Sequence, residues 1–250
     1  MFDLEQCLQD QLRARMTTRQ TLIFPEGDDV RVIEAASRLV QFSNVVLVAA
    51  RERVSALIDG GEAKLGCSRR RFFAQVRCVR PSESPLSDEL AQVLHGLSLG
   101  SKWEVSPERA REMVTDPVYF AIMAVRLGYA DAVLGGLRLS SRDFFVPCLR
   151  LLERSGTVYE MALFALPDEH PSGIYQHNLV MFADVALNPA PTPEALADIA
   201  VGASRTLRDL IPTELLPEVN AALLSYSTRG SGEGPSVERV RAAEPLIADK

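Results

Sequence analysis

The sequence predicts an α/β protein whose sheets are mainly parallel and covered by helices on both faces. Three observations predict it. Short apolar runs, too short to be helices, recur at 21–25, 45–50 and 132–134. Between them lie stretches with the 3.6-residue apolar period of amphipathic helices, and strand–helix alternation of this kind builds parallel sheets. The run Val45-Val46-Leu47-Val48-Ala49-Ala50 has no polar alternation, the mark of a strand buried on both faces.

In chain order, residues 4–16 read as a short amphipathic helix and 21–25 as a strand. Asp28 or Asp29 then caps a helix carrying Val30, Val32, Ile33, Ala36 and Leu39. A helix over 51–59 follows the second strand. Arg69–Arg71 are expected in a loop and 73–79 in a strand. Residues 86–98 and 107–128 read as helices, 132–134 as a short strand and 141–153 as a helix. After Gly156 the texture changes: apolar runs 158–166 and 179–185 flank a polar, Pro-containing segment. Thr192 caps a long helix, 193–210, a strand is expected at 220–226, and a helix begins at 235. This gives two domains, 1–155 and 156–250.

Hydrophobic residues make up 47% of the 250, enough for a packed core. With 27 basic against 33 acidic side chains the formal net charge is -6, so nucleic acid and acidic membrane are not expected partners. No apolar run reaches the roughly 18–20 residues of a membrane span, and the first residues lack a signal peptide's apolar centre. The expected location is therefore the cytoplasm. Cys7, Cys67, Cys78 and Cys148 form no CxxC pair, and His95, His170 and His177 have no ligand spacing, so no metal is expected.

Two loops carry candidate chemistry. In the first, the strand at 132–134 runs into Gly135 and Gly136 and then into Ser140 and Ser141 at a helix start. Glycine lets backbone approach a ligand, and free amides at a helix start attract an anion. An ordinary strand-to-helix turn with a Ser cap is an equal reading. In the second, residues 223–236 hold four Ser, one Thr, one Arg and three Gly between an expected strand and helix. Ser225, Ser227, Thr228, Arg229, Gly230 and Ser231 offer hydroxyl, amide and guanidinium donors that match phosphate oxygens. A flexible surface loop is the other reading. The spacing is not that of a Walker loop, no GxGxxG opens the first helix, and no GxSxG elbow is present.

Five segments together resemble the phosphate acetyl/butyryltransferase family. They are Ile23-Phe24-Pro25-Glu26-Gly27-Asp28-Asp29-x-Arg31-Val32, Asp116-Pro117-Val118-Tyr119-Phe120, Gly128-x-Ala130-Asp131-Ala132, Phe182-Ala183-Asp184-x-Ala186-x-Asn188-Pro189-x-Pro191-Thr192 and Leu224-Ser225-Tyr226-Ser227-Thr228-Arg229-Gly230-Ser231. The resemblance implies two three-layer α/β domains with a cleft between them. It implies an acyltransferase of acetate metabolism: acetyl-CoA and phosphate give acetyl phosphate and CoA by direct attack, without an acyl-enzyme. Coenzyme A and acetyl phosphate are then substrates, and no separate cofactor is implied. An acidic side chain is expected to help deprotonate the thiol, and Arg side chains to bind phosphate and CoA. A homo-oligomer stays open.

The sequence also departs from the family pattern. Val146 stands where the family usually has an Arg before Pro147. Gly100-Ser101-Lys102-Trp103-Glu104 stands where an Arg-Lys-His-Lys-Gly-like stretch is usual. An Asp-Leu-Ser-Arg-Gly motif and a following Asp, which serve the family's active site in segments that also complete the first domain, do not occur in these 250 residues. On this reading the second domain and the C-terminal part of the first are incomplete. No catalytic residue is assigned. Binding residues are Gly135, Gly136, Ser140 and Ser141 together with the 225–231 set. The alternatives are a non-catalytic module that binds acyl-CoA or acyl phosphate, or a truncated fragment of the enzyme.

Overall fold

The computed structural model describes residues 3–15, 18–166, 178–228 and 230–248. Arg229, His170 and His177 lie outside the described residues. The chain divides into two compact units, one of Thr17–Glu153 and one that joins Met1–Met16 to Arg154–Lys250. The division falls at 153/154 rather than 155/156, and the N-terminal helix α1 (Leu4–Arg15) belongs with the C-terminal unit rather than the first.

The first unit is built on β1 (Thr21–Phe24), β2 (Asn44–Val48), β3 (Val76–Val79) and β4 (Ala132–Val133). They form one parallel sheet in the order β3-β2-β1-β4. Successive strand residues point to opposite faces, and the core divides accordingly. Phe24, Val45 and Leu47 pack with Val32, Ile33 and Ala36 of α2 (Val30–Leu39), Val54 and Leu57 of α3 (Arg51–Asp59) and Phe72 of α4 (Arg69–Gln75). Ile23 and Val48 pack on the other face with Leu90 and Leu94 of α5 (Ser87–Ser98), Ala110 and Val114 of α6 (Pro107–Thr115) and Phe120–Ala124 of α7 (Pro117–Arg126). This is a helix–sheet–helix sandwich. The helix α8 (Ser141–Leu151) closes the unit, with Leu151 buried.

Two elements of this unit differ from expectation. The Arg69–Arg71 segment is helical, not a loop, and the strand starts at Val76, not at 73. Ser68 caps α4 by accepting from the Arg71 N–H, and Arg51 and Arg69 stack on the Phe73 ring at 4.4 and 5.0 Å, which holds that aromatic pair in a helix. The expected helix 107–128 is two helices. Pro117 has no N–H, and Asp116 ends α6 while capping α7 through the Val118 and Tyr119 amides.

The second unit has β5 (Met161–Ala165) and β6 (Leu179–Ala183), paired antiparallel. A parallel pair would need a crossover of a dozen or more residues, usually helical, and the sequence between the runs has no helical period. The long α9 (Pro193–Leu210) begins at a Thr192 cap, and α10 (Pro235–Ala248) follows. Gly202 of α9 leaves room for Tyr159, whose Oη would stand 2.2 Å from any Cβ there. Leu179, Ile211 and Leu216 form the core with Leu163 and with Leu4, Cys7 and Leu8 of α1. The strand expected at 220–226 is not formed: it pairs with no strand among the described residues, and Leu224 and Tyr226 are 77% and 68% exposed. An apolar run becomes a strand only beside a partner.

Candidate functional site

The chain leaves β1 through Pro25-Glu26-Gly27 and leaves β4 through Leu134-Gly135-Gly136. β1 connects onward to β2 on one side of the sheet and lies beside β4 on the other. Ligands in open α/β sheets bind beyond the strand ends where the order reverses in this way. Both glycines at this place are needed for close approach. A Cβ on Gly27 would meet Leu47 Cβ and the Val48 nitrogen at 2.8 Å. A Cβ on Gly135 would meet the Phe144 ring at 2.8 Å and Pro25 at 2.9 Å.

The group that fills this place is the protein's own. Glu26 is only 4% exposed, and its carboxylate accepts from the amides of Gly136 at 2.8 Å and Leu137 at 2.9 Å, and from that of Arg138. Gly136 has φ +105°, which favours glycine and turns these successive amides toward one point. Burial alone would push the Glu26 carboxyl up. The three amides, with Arg138 close by, outweigh burial and leave it below the usual carboxylate range.

A second layer holds the first. Arg138 Nη2 pairs with Asp28 Oδ1 at 2.6 Å, and its Nε lies 3.8 Å from Asp29 Oδ2. Asp29 caps α2 through the Arg31 amide at 2.9 Å and takes the Arg31 guanidinium at 3.0 and 2.8 Å. The Arg31 side-chain bonds are the main reason its carboxyl falls to about 2, against the opposing effect of burial. A depressed carboxylate stabilises the fold above its unfolded pKa, and that stability is lost as pH falls through the folded one. Asp29→Asn keeps the cap and loses the ion pair. It is therefore expected to cost roughly 1 kcal/mol at pH 7, the partner Arg being solvated. In urea titrations the difference from the parent should shrink between about pH 4 and pH 2. A difference constant over that range would show that the ion pair contributes nothing.

The candidates read from the sequence are thus placed as follows. The Gly135–Gly136 turn has its following amides engaged by Glu26 rather than open to a ligand. Ser140 is the cap of α8, accepting from the Asp143 N–H at 3.2 Å and donating to its carboxylate at 2.6 Å. The exposed Ser141 hydroxyl makes no hydrogen bond among the described residues.

The 225–231 loop ties itself together. Ser225 Oγ accepts from the Ser227 N–H at 3.2 Å, Ser227 Oγ from the Gly232 N–H at 2.9 Å, and Ser231 Oγ from the Thr228 N–H at 3.1 Å. Gly230 supplies φ +80°. Ser225, Thr228, Gly230 and Ser231 remain exposed. The two loops lie in different units.

Glu26 and Arg138 are the organising groups that reading the loops alone missed, while Asp29 is the α2 cap that the sequence offered. Their signal in the sequence was an acid directly after a strand, followed by glycine and two more acids.

A groove of about 410 Å³ lies between α7 and α8, lined by Val118, Leu139, Val146 and Pro147 with Arg142 and Arg150. The adjoining stretch 100–104 is a turn in which Gly100, at φ +69°, donates its amide to Glu104 Oε2 at 2.9 Å. Among the described residues no three His, Cys, Asp or Glu side chains gather as metal ligands, and no helix is long and apolar enough to cross a membrane.

A doubly covered parallel sheet with its polar cluster at the strand ends defines an α/β protein of the doubly wound kind. The profile of the Phosphate acetyl/butaryl transferase family matches residues 4–250, and the chain belongs to that family. It is 31% identical over 237 residues to a phosphate acetyltransferase of Nitratidesulfovibrio vulgaris, covering 93% of this chain and 30% of that protein. It is 30% identical over 254 residues to that of Acetivibrio thermocellus, covering 100% of this chain and 70% of that one. Among solved structures, a phosphotransacetylase from Streptococcus pyogenes matches with TM-score 0.76 and 25% identity, over 99% of this chain and 70% of that one. The chain thus spans from under a third to 70% of the length of these relatives.

Proposed function

We propose that this chain belongs to a phosphate acyltransferase that interconverts acetyl-CoA and phosphate with acetyl phosphate and CoA. What carries the reading is the family match across residues 4–250, which includes both hydroxyl-rich loops. In the proposed reaction a phosphate oxygen attacks the thioester carbon. The C–S bond breaks, and the thiolate leaves and takes up a proton. Coenzyme A enters as a substrate, so no further cofactor takes part. Positioning and charge stabilisation supply most of the rate in such a transfer. The base is left unassigned: Glu26 and Asp29 are held ionised by their partners, which makes them poor proton acceptors.

In this reading the loop 225–231 takes inorganic phosphate. Arg229→Ala is expected to weaken phosphate binding, measured by calorimetry, by about tenfold or more, the effect of losing one charge-assisted donor. Unchanged binding would remove the loop from the site. The reaction itself is tested by CoA release from acetyl-CoA with phosphate, with acetyl phosphate trapped by hydroxylamine. A second reading, binding of acyl-CoA or acyl phosphate without turnover, is favoured by Val146 on the α7–α8 groove. Ligand binding with no CoA release identifies it.

A further inference from the structure

Side chains in register on one face of a parallel sheet form rows across the strands. Thr21 lies beside Asn44, Ile23 beside Val46, Val46 beside Arg77, and Val48 beside Val79. By the two-residue alternation these all project to the face that carries α5–α7. The helices bury Ile23 and Val48. Toward the amino ends of the strands a cavity of about 270 Å³ lies between sheet and helices. Its wall is apolar, made by Ile23, Val46, Val79, Leu86 and Phe120.

The polar groups of this cavity are largely unspent. Arg77 is the one cation of the lining, which holds no carboxylate. Its exposed guanidinium makes no ion pair or hydrogen bond among the described residues, nor does the side-chain amide of Asn44, its diagonal neighbour on β2. Gln75 Oε1 is buried and accepts no hydrogen bond. The terminal torsion of Gln is broad, so a turn of this amide can offer the oxygen to a donor in the cavity. Two acids that touch the lining are engaged already. Glu89 accepts from Tyr129 Oη at 2.6 Å, and Asp131 accepts from the Thr21 N–H at 2.7 Å.

These features define a ligand. One cation without a counter-charge calls for one negative charge, and guanidinium with an amide donor matches a carboxylate. The unfilled acceptor calls for a hydroxyl. The wall calls for an apolar body, which an inorganic anion lacks. The volume lies below the roughly 300–1,000 Å³ of ordinary ligand pockets, too small for a nucleotide. We propose that this cavity binds a small organic monocarboxylate with a branched or aromatic body and a hydroxyl, its carboxylate on Arg77 and Asn44. The site is at the end of the sheet opposite the Glu26 cluster, so its ligand takes no part in the acyl transfer proposed above.

The test is calorimetric titration of the full chain with α-hydroxyisocaproate and with phenyllactate. At least one is expected to bind at millimolar concentration or below. Arg77→Ala should weaken that binding about tenfold or more, and Arg77→Lys should keep part of it, because charge remains and the fork is lost. The uncharged amide of the same acid should bind the parent about tenfold less tightly and be insensitive to Arg77→Ala. Val79→Phe from the sheet and Leu86→Phe from the α5 side fill the cavity and should abolish binding. Arg53→Ala, an exposed cation of α3 outside the lining, should change nothing. Circular dichroism of each variant checks the fold. Binding that survives Arg77→Ala or a folded cavity-filling variant overturns the inference, as does equal binding of the amide. Failure of both acids to bind overturns it too; self-association of Arg77→Ala in sedimentation would then assign the arginine to guarding the edge strand β3. None of these outcomes bears on the acetyl phosphate assay.

Discussion

Glu26→Ala is expected to destabilise the unit Thr17–Glu153 by about 3–5 kcal/mol, the largest effect of any single substitution at the strand ends. The carboxylate is buried and accepts three backbone N–H groups that have no other acceptor in the turn. Removing it leaves these donors desolvated, at roughly 1–3 kcal/mol each, with partial relief where water enters the exposed turn. Arg138 would lose a neighbouring charge as well, although its pairing with Asp28 remains. Glu26→Gln keeps one acceptor oxygen but turns an NH₂ toward N–H groups, so an intermediate loss is expected. The measurement is urea unfolding, together with hydrogen exchange of the amides of 136–138. These amides should exchange much faster in both variants. Stability and protection equal to the parent would show that the turn is ordered without the carboxylate.

Acetyl phosphate formation by this 250-residue chain is expected to be very weak, seen only at high protein concentration. A cation that fixes a phosphate or stabilises a developing oxyanion contributes a few kcal/mol, and each 1.36 kcal/mol is tenfold in rate. Two positions that the family resemblance assigns to Arg carry none: Val146 has no donor, and the stretch 100–104 has Lys102 as its one cation, beside Glu104. Their combined loss should cost roughly 10³-fold or more, although coupled groups do not add simply. Binding is expected to outlast chemistry, because the exposed hydroxyls of Ser225, Thr228 and Ser231 remain in the loop 225–231. The comparison is CoA release at high enzyme concentration, measured beside the Acetivibrio thermocellus relative. Turnover of similar size would show that Lys102, Arg138 or Arg142 has taken over the cationic work.

Much of the architecture was legible because it follows from local rules. The helix over 193–210 was readable from a Thr cap, a Pro at the first position and an apolar stripe, and α3 from its period alone. β1, β2 and β4 announced themselves as apolar runs. The misreadings came where a partner decides the state. Phe73 looks like a strand residue until two arginines stack on its ring and its neighbour Phe72 enters the core. Residues 220–226 carry strand-forming side chains but have no neighbouring strand among the described residues.

The sequence by itself determined the class of fold, the periods of its helices and the resemblance to one family, because these depend on neighbours within a few residues or on motifs in a fixed order. It also showed which loops are rich in glycine and hydroxyls. Only the tertiary structure decided which of those donors are free. Glu26 and the amides of 136–138 are 110 to 112 residues apart, and nothing local to either segment says that one saturates the other. A contact of the same long range occupies Arg138, through Asp28 and Asp29. Availability of a donor is set by what the fold brings beside it, and that is a property of the packed chain rather than of any segment.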